Sequence, residues 1–372
     1  MIKIALIGTK GFNLSSHSFG GFETVITKLA PAFVRMGYDV TVYCRRKLYK
    51  EIELPEVIDG VQLRYLTSIE TKNLGTMTNS LLAILDAIQR RTNIVFLFNL
   101  GLGIYIPLLK LFGIKVVTNL DGLEWERSKW SYLAKFVFKI GAKLNTLLSD
   151  KLIADAEEIK KIYVNKLNYE PCVIEYGAEI RTDLTPDSIS NIYDLIPGQY
   201  YLLATRFIPE NNALFVIENY IKSGISAKLV VLGRNYYNSE YERKIKSLTD
   251  PRVLFLGHID DRKTLLEFYK YSYVYIHAHS VGGTNPSLLE AMANNSCILA
   301  HDNPFNKEML NDWQYGSPFK LNSFDFLDKL LFMQTNPEYV KNMKEKSVER
   351  VASKYNWSII EEKYKNLLNE LI

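Results

Sequence analysis

The segment 279–293, HSVGGTNPSLLEAMA, decides the fold class, because it joins a short apolar run to an apolar helical pattern. The apolar run ahead of it predicts a buried strand. Asn285 followed by Pro286 is typical of the cap and the first residue of a helix. Gly282 and Gly283 leave backbone N–H groups uncovered just before that helix. A strand, a glycine loop and a helix N-terminus in this order predict an α/β fold. The uncovered amides could bind an anion, and the alternative is a tight loop before a capped helix.

Apolar runs alternate with amphipathic stretches along the whole chain, which predicts two doubly wound parallel sheets with a cleft between them. The alternation breaks at 176–199, where prolines, glycines and polar residues precede a new apolar run. We therefore expect an N-terminal domain over 1–180, a C-terminal domain over 181–355 and a closing helix over 356–372 that packs on the N-terminal domain. The predicted strands are 2–7, 39–44, 61–66, 94–98, 115–118, 151–154, 172–175, 200–204, 228–232, 253–256, 273–277 and 297–300. The predicted helices include 22–36, 76–90, 126–148, 209–222 and 260–270.

Net charge limits the range of partners. The 372 residues carry a formal charge of +4, and residues 1–180 hold 23 Lys and Arg against 18 Asp and Glu. This excess is too small and too dispersed for a nucleic-acid-binding surface. It fits an N-terminal half that meets an anionic surface.

Cysteine usage and hydropathy bear on localisation. The three cysteines are far apart and have no metal-binding spacing, which is typical of buried thiols in a reducing compartment. Residues 2–7 predict a strand instead of a signal peptide, so we expect a cytoplasmic protein. The uncharged stretch 92–109 contains Asn99 and two glycines. It predicts a strand, a glycine loop and a buried helix instead of a membrane span.

Two further motifs follow predicted strands. Arg206, in ATRFIPENN, comes directly after the strand 200–204, and a guanidinium pairs bidentately with phosphate oxygens. The alternative is a surface ion pair between Arg206 and Glu210. Glu290 lies about one turn inside the helix after the glycine loop. Its carboxylate could accept hydrogen bonds from sugar hydroxyls, or it could be a solvated surface group.

The N-terminal half has its own candidates. Gly20 and Gly21 precede a predicted helix, so they offer a second uncovered helix start. The segment 118–130, TNLDGLEWERSKW, crowds acidic groups, an arginine and two tryptophans after a strand. That composition suits a sugar, although acidic residues also favour the first turn of a helix. The residues concerned are Asp121, Glu124, Trp125 and Arg127.

The segment 129–143, KWSYLAKFVFKIGAK, places lysines among large apolar residues. A basic amphipathic helix of this kind can lie on a membrane surface. The alternative is an ordinary helix with a solvated lysine face. For His279 a ligand contact and a structural role both remain open.

Together these motifs resemble the family 4 glycosyltransferases of the GT-B fold. Gly20, Gly21, Arg206 and Glu290 match residues that family members carry. Two positions depart from the family pattern. The lysine expected five residues after the arginine is Asn211, and the first glutamate of the Glu-x7-Glu pair is Gly282.

The combination of GTKGF, GGFET, VTVYCR, DGLEWERSKW, PENN and HSVGGTNPSLLEAM resembles the rhamnosyltransferase-like branch, whose N-terminal region was long described as a domain of unknown function. The resemblance implies a retaining transfer of L-rhamnose from dTDP-L-rhamnose to a lipid-linked saccharide, without a metal or another cofactor. A UDP-hexose or UDP-N-acetylhexosamine donor, a nucleotide-sugar-binding regulator without catalysis and a GT-B epimerase are the alternatives.

The resemblance also assigns roles to residues. It places Asp121 and Arg206 in catalysis, with Asp121 in the region where the family often has a histidine. The implied donor contacts are Gly20, Gly21, Arg206, Asn211, Gly282, Gly283, Thr284, Asn285 and Glu290. The implied acceptor-side residues are Glu23, Glu124, Trp125 and Arg127.

Overall fold

The chain forms two compact units. Unit 1 comprises Met1–Glu175 together with Ile360–Ile372, and unit 2 comprises Tyr176–Ile359. The chain therefore passes into unit 2 slightly before the predicted boundary at 180, and its last helix belongs to unit 1 from Ile360 onward. The computed structural model describes residues 1–14, 21–49, 54–69, 75–120, 122, 131–234 and 240–372.

Unit 1 contains a mostly parallel sheet. Among the described residues its strands are β1 Lys3–Ile7, β2 Asp39–Arg45, β3 Val57–Ile58, β4 Val61–Leu66, β5 Ile94–Leu97, β6 Lys115–Asn119, β7 Lys151–Ala154 and β8 Cys172–Val173. They lie in the order β3-β4-β2-β1-β5-β6-β7-β8, with only β3 antiparallel to its neighbour β4. The strand order reverses at β1, so the switch point lies between β1 and β5. The helices are α1 Phe22–Arg35, α2 Gly75–Gln89, α3 Ile106–Leu111, α4 Tyr132–Leu148, α5 Glu157–Leu167 and, beyond unit 2, Trp357–Leu371.

Unit 2 contains a fully parallel sheet. Its strands, in the described part of the chain, are β9 Tyr200–Ala204, β10 Lys228–Leu232, β11 Val253–Gly257, β12 Val274–His277, β13 Ile298–His301 and β14 Ser317–Phe319. They lie in the order β11-β10-β9-β12-β13-β14. This is the doubly wound order in which the switch point falls between the first and fourth strands, here β9 and β12. The helices are α6 Asp187–Asn191, α7 Ala213–Lys222, α8 Glu240–Lys246, α9 Arg262–Tyr271, α10 Pro286–Ala293, α11 Pro304–Met309, α12 Ser323–Thr335 and α13 Pro337–Arg350. The last helix, α14 Trp357–Leu371, begins in unit 2 and belongs to unit 1 from Ile360 onward.

The strands of unit 2 are buried on both faces. All five residues of β9 are buried, and Leu229, Val231 and Ile276 of the neighbouring strands join the same apolar core. Helices cover both faces of a parallel sheet, so its strands are continuous apolar runs instead of alternating ones. This is why the apolar runs in the sequence predicted these strands.

All twelve predicted strands are present, and two further strands were missed. They are β3, with two residues, and β14, with three. Both lie at sheet edges, and β14 contains Pro318. Proline is tolerated on edge strands, and a strand this short gives no periodic signal.

The segment 176–199, where the alternation of apolar runs breaks, is packed onto unit 2. The Lys270 Nζ and the Tyr271 hydroxyl both donate to the Leu184 carbonyl, at 2.9 and 2.8 Å. The Ser188 N–H at the start of α6 donates to the carboxylate of Glu267, at 3.0 Å. This segment therefore forms an ordered layer against α9.

Candidate functional site

The switch point of unit 2 brings together the loops that follow β9 and β12. Thr205 and Arg206 leave the carboxyl end of β9, and His279 leaves that of β12. Ligands of doubly wound sheets bind outside the carboxyl ends of the strands at the switch point. The topology therefore selects this edge of the sheet as the candidate site.

The PENN motif closes the loop after β9 and ties it to the loop after β12. Asn211 is buried, and its amide nitrogen donates to the Arg206 carbonyl at 3.0 Å. The Asn212 amide nitrogen donates to the Ala278 carbonyl and to the Ser280 hydroxyl, both at 2.7 Å. Asn211 thus shapes the loop that carries Arg206, and its predicted contact with a donor stays a prediction.

His279 bridges the same two loops through both of its ring nitrogens. Nε2 lies 2.8 Å from the Thr205 hydroxyl, and Nδ1 lies 2.7 Å from the amide nitrogen of Asn285. An amide nitrogen only donates, so Nδ1 accepts and Nε2 carries the proton. Burial, followed by the charge of Arg206, lowers the pKa of His279 to about 3, so the ring is neutral. These contacts favour the structural alternative for His279.

We expect His279 to make the stability of the protein depend on pH below neutrality. Between about pH 6.5 and pH 3 the unfolded chain binds a proton at this histidine and the folded chain does not. The free energy of unfolding should therefore fall on acidification, by about 1.4 kcal/mol per pH unit from this group. Burial also lowers the pKa of His277 and of His301, so these histidines add to the slope.

The measurement is denaturant unfolding of wild type and His279→Gln at several pH values between 8 and 5. The difference in unfolding free energy should be constant above pH 7 and shrink as the pH falls below 6.5, because the variant has no proton to take up at this position. Two curves that stay parallel down to pH 5 would contradict the assignment of a neutral His279.

Arg206 is exposed at the centre of this edge. Within the described residues its guanidinium makes no ion pair and no hydrogen bond, so the expected alternative, pairing with Glu210, is not formed. The Glu210 carbonyl instead accepts the Ser280 N–H at 2.9 Å. In the described part of the chain Arg206 thus presents a positive charge that no carboxylate neutralises, and it follows Thr205, which His279 connects to the loop of Gly282 and Gly283.

The loop before α10 has the form that the sequence predicted. Asn285 caps α10, because its side-chain oxygen accepts the Ser287 N–H at 3.1 Å and the Ser287 hydroxyl at 2.8 Å. Pro286 is the first residue of the helix. In the described structure the amides of Gly282 and Gly283 donate no hydrogen bond, so two N–H groups are available near the helix N-terminus. Thr284 is buried.

Position 282 needs glycine for its backbone conformation, whereas a side chain there would have room. Its φ is 133°, a value that residues with a side chain rarely adopt. A Cβ at this position would meet nothing closer than the Asn285 amide nitrogen, at 3.8 Å. The family glutamate is thus replaced at a position where this loop follows a glycine-specific path.

Glu290 is neither solvated nor free. Its carboxylate is paired with Arg262 at 2.7 Å, and only 12% of its side chain is exposed. The alternative of a solvated surface group is therefore wrong. Arg262, which begins α9, was not predicted as a site residue, because no local pattern connects it with a residue on α10.

Gly233, also missed, lets the chain that leaves β10 pass close to the backbone at the carboxyl end of β9. Its φ is 137°, and a Cβ there would lie 1.8 Å from the Thr205 carbonyl oxygen. Its N–H donates to the Gly257 carbonyl at 2.6 Å. A glycine directly after an apolar strand was the available signal, since it marks close backbone approach.

The predicted residues of unit 1 are described only in part. Gly21 caps α1 with φ 69°, and a Cβ there would meet nothing within 4 Å. Glu23 is buried and accepts the Lys10 N–H at 2.9 Å, and burial raises the pKa of its carboxyl group. Glu23 thus holds the loop after β1, and its acceptor role stays a prediction. Gly20, Asp121, Glu124, Trp125 and Arg127 lie outside the described residues.

Two Rossmann-like units of this kind define the GT-B fold class. Sucrose-phosphate synthase from Thermosynechococcus elongatus has a TM-score of 0.82 and 16% identity, over 100% of this chain and 99% of that one. Anabaena HepE in complex with UDP has a TM-score of 0.78 and 12% identity, over 100% of both chains. WaaG, a glycosyltransferase involved in lipopolysaccharide biosynthesis, has a TM-score of 0.73 and 14% identity, over 97% of this chain and 98% of that one.

Two family models match separate parts of the chain. Residues 197–350 match the glycosyl transferases group 1, and residues 1–179 match a domain of unknown function, DUF1972. Each model covers less than half of the chain: the glycosyl transferases group 1 model lies within unit 2, and the DUF1972 model covers the N-terminal part of unit 1 and the first residues of unit 2. The alpha-monoglucosyldiacylglycerol synthase of Streptococcus pneumoniae is 24% identical over 181 residues, which are 45% of this chain and 41% of the relative. The match thus spans about four tenths of that relative's length.

Proposed function

We propose that this protein transfers a sugar from a nucleotide-sugar donor, dTDP-L-rhamnose, to a lipid-linked saccharide. The proposal rests on one arrangement. In the described structure no carboxylate neutralises the Arg206 guanidinium, and the amides of Gly282 and Gly283 are available. His279 connects the two loops that carry these groups by hydrogen bonds to Thr205 and Asn285. A guanidinium, free N–H groups and a helix N-terminus all favour an anion with several oxygens. A sugar diphosphate has that chemistry.

The same groups would assist the chemical step. Negative charge builds up on the leaving diphosphate as the bond to the sugar breaks. Arg206 and the amides at the start of α10 are already oriented, so they stabilise that charge without reorganisation. We propose that they do so without a metal. We propose a front-face retaining transfer in which the leaving phosphate helps to deprotonate the acceptor, with Asp121 as an orienting group or base.

Gly282 supports the choice of donor. The carboxylate that family 4 glycosyltransferases carry at this position is absent. The Asn285 side chain already caps α10 and donates to His279. The sugar would then be held mainly by the backbone around Gly283 and Thr284. A 6-deoxy sugar such as L-rhamnose suits a pocket with fewer polar side chains.

A UDP-hexose or UDP-N-acetylhexosamine donor is the second candidate. It is supported by the HepE structure, which has also been solved with UDP-glucose, and by the relative in Streptococcus pneumoniae, whose name specifies a glucosyl lipid. That name, together with the involvement of WaaG in lipopolysaccharide biosynthesis, also supports a lipid-linked acceptor.

Thermal shifts with dTDP-L-rhamnose, dTDP, UDP-glucose, UDP-N-acetylglucosamine and GDP-mannose separate the candidates. A ligand that binds only the folded protein raises its melting temperature. We expect a rise confined to the two dTDP ligands. A rise with UDP-sugars alone would keep the reaction and change the donor, and no rise with any of them would remove the proposed function.

Glu290 provides a more local test. We place its carboxylate on the ribose hydroxyls, so Glu290→Gln should weaken nucleotide binding about tenfold, as loss of one charge-assisted hydrogen bond predicts. The measurement is calorimetric titration with dTDP. Glu345→Gln, an exposed site on α13 of the same unit, is the matched control and should bind as wild type does. Unaltered affinity in Glu290→Gln would show that the ribose placement is wrong.

Helix α4 supports the proposal that the protein binds the cytoplasmic membrane face peripherally. Its inner face is fixed to unit 1, where the buried Asn145 donates to the carbonyls of Leu100 and Gly141 at 2.9 and 2.7 Å. The opposite face carries Tyr132 and Phe136, which are 94% and 60% exposed. Among the described residues, no helix has the length and hydropathy needed to span a bilayer.

Lysines lie on the same outer face. Lys139 and Lys143 are exposed beside Phe136, so the face combines aromatic rings with positive charge. A helix of this composition binds anionic bilayers by burying the rings and placing the ammonium groups among the headgroups. We propose anionic phospholipid as the partner of this face.

We expect Lys139→Glu combined with Lys143→Glu to reduce binding to vesicles of phosphatidylglycerol and phosphatidylcholine at least tenfold, because each basic side chain contributes about 1 kcal/mol near an anionic surface. Co-sedimentation measures the effect. Lys341→Glu combined with Lys346→Glu makes the same charge change on exposed positions of α13 and is the control. Equal losses in both double variants would mean that net charge matters and that α4 does not form the membrane contact.

A further inference from the structure

The anion site proposed for unit 2 has two halves on different loops. Arg206 follows β9, whereas the amides of Gly282 and Gly283 precede α10. A diphosphate must meet both at once, so their relative placement matters as much as their presence. We propose that His279 is the positioning residue that holds the two halves in register, an inference that rests on the function proposed above.

The bridge has a defined direction. The Asn285 amide donates to His279 Nδ1, and His279 Nε2 donates to the Thr205 hydroxyl. The Thr205 hydroxyl in turn donates to the Arg206 carbonyl, at 3.4 Å. One ring therefore connects the cap of α10 with the backbone of Arg206.

Each end of the bridge is held by further contacts. The Arg206 carbonyl also accepts the Ile208 N–H at 2.9 Å and the Asn211 amide nitrogen at 3.0 Å. At the other end, Asn285 holds the first turn of α10 through Ser287. These contacts fix each loop locally. The His279 ring joins the two loops through its hydrogen bonds to the side chains of Thr205 and Asn285.

Further contacts hold the ring and the backbone of His279. The rings of His279 and His277 lie with their centroids 4.3 Å apart, and His277 is buried with Nδ1 at 3.1 Å from the Tyr275 hydroxyl. The His279 carbonyl accepts the amide nitrogen of Asn303 at 2.9 Å. Both the backbone and the ring plane of His279 are thus determined, as a positioning role requires.

The first measurement is the turnover of the variant His279→Leu. Leucine is similar in bulk to histidine but makes neither of its two hydrogen bonds. Turnover of dTDP-L-rhamnose and of UDP-glucose by the 372-residue chain, with water as the acceptor of the sugar, is measured as release of the nucleoside diphosphate. We expect kcat to fall on the order of tenfold to a hundredfold, as a misplacement of about 1 Å does, with a smaller change in KM. His279→Gln, which can both accept and donate, should recover most of the loss.

A double-mutant cycle with Arg206→Ala separates positioning from general stability. If His279 acts by placing Arg206, then adding His279→Leu to Arg206→Ala should reduce kcat by less than about threefold. A residue that only stabilised the fold would lower the melting temperature and leave the kcat of the folded protein intact. An equal loss of kcat in both backgrounds, or no loss in the single variant, would overturn the inference.

Failure of the inference can be distinguished from failure of the proposed function. Wild-type turnover in Arg206→Ala with both donors would overturn the diphosphate site itself, whatever His279→Leu does. No turnover of either donor by the wild-type protein would overturn both proposals. A loss in Arg206→Ala together with full activity in His279→Leu would remove only the positioning role.

Discussion

Arg206→Ala should lower turnover at least a hundredfold while the protein stays folded. The guanidinium is exposed at the switch point of unit 2, and in the described structure no carboxylate neutralises it. The lysine that family members place five residues later is Asn211, which is buried against the Arg206 carbonyl. Arg206 therefore carries the main side-chain charge for the diphosphate. Removing one such group typically costs about 2.7–4 kcal/mol of transition-state stabilisation.

The measurement is steady-state kinetics with the donor identified by thermal shift, together with the melting temperature of the variant. Arg206→Lys should retain part of the activity, because an ammonium keeps the charge and loses the bidentate geometry. Arg243→Ala removes an exposed arginine from α8 of the same unit and should leave kcat unchanged. Unchanged turnover in Arg206→Ala would exclude the diphosphate role.

Gly233→Ala should be the most destabilising single methyl addition at the site. Its Cβ would lie 1.8 Å from the Thr205 carbonyl oxygen, and its φ of 137° is unfavourable for alanine. We expect the free energy of unfolding to fall by roughly 2–6 kcal/mol, the sum of a backbone strain of about 1–3 and an overpacking cost of about 1–3 kcal/mol. Because Thr205 precedes Arg206, the variant that remains folded should also lose turnover.

Gly282→Ala is the matched control for this effect. Its φ of 133° is nearly the same, but its Cβ would meet nothing closer than 3.8 Å. It should therefore show the backbone strain alone, about 1–3 kcal/mol. Denaturant unfolding of both variants measures the difference. Equal destabilisation would mean that the contact with Thr205 is relieved by a small movement and does not constrain the loop.

The fold was largely predictable because parallel strands are buried on both faces. Each strand from β9 to β13 is a nearly uninterrupted apolar run, and each was predicted within a residue or two. The packing of the segment 176–199 was not predictable from its composition. Its attachment depends on Glu267 and Lys270, which lie on α9 far along the chain. Composition reports local preference, and such long-range contacts do not appear in it.

The candidate site was predictable where local rules apply. The cap at Asn285 and the exposed Arg206 follow from residues next to a strand end. The partners of these residues were not predictable. The pairing of Glu290 with Arg262 and the bridge from His279 to Thr205 join loops that only the strand order brings together. Sequence spacing predicts the groups of a site, and the topology determines which of them meet.

A crystal structure of the protein with bound dTDP shows whether the diphosphate lies at the carboxyl edge of β9 and β12. We expect diphosphate oxygens within hydrogen-bonding distance of the Arg206 guanidinium and of the Gly282 and Gly283 amides, with the ribose at Glu290. The same experiment with UDP is the comparison for the base. A nucleotide bound away from this edge, with Arg206 still in solvent, would exclude the diphosphate site.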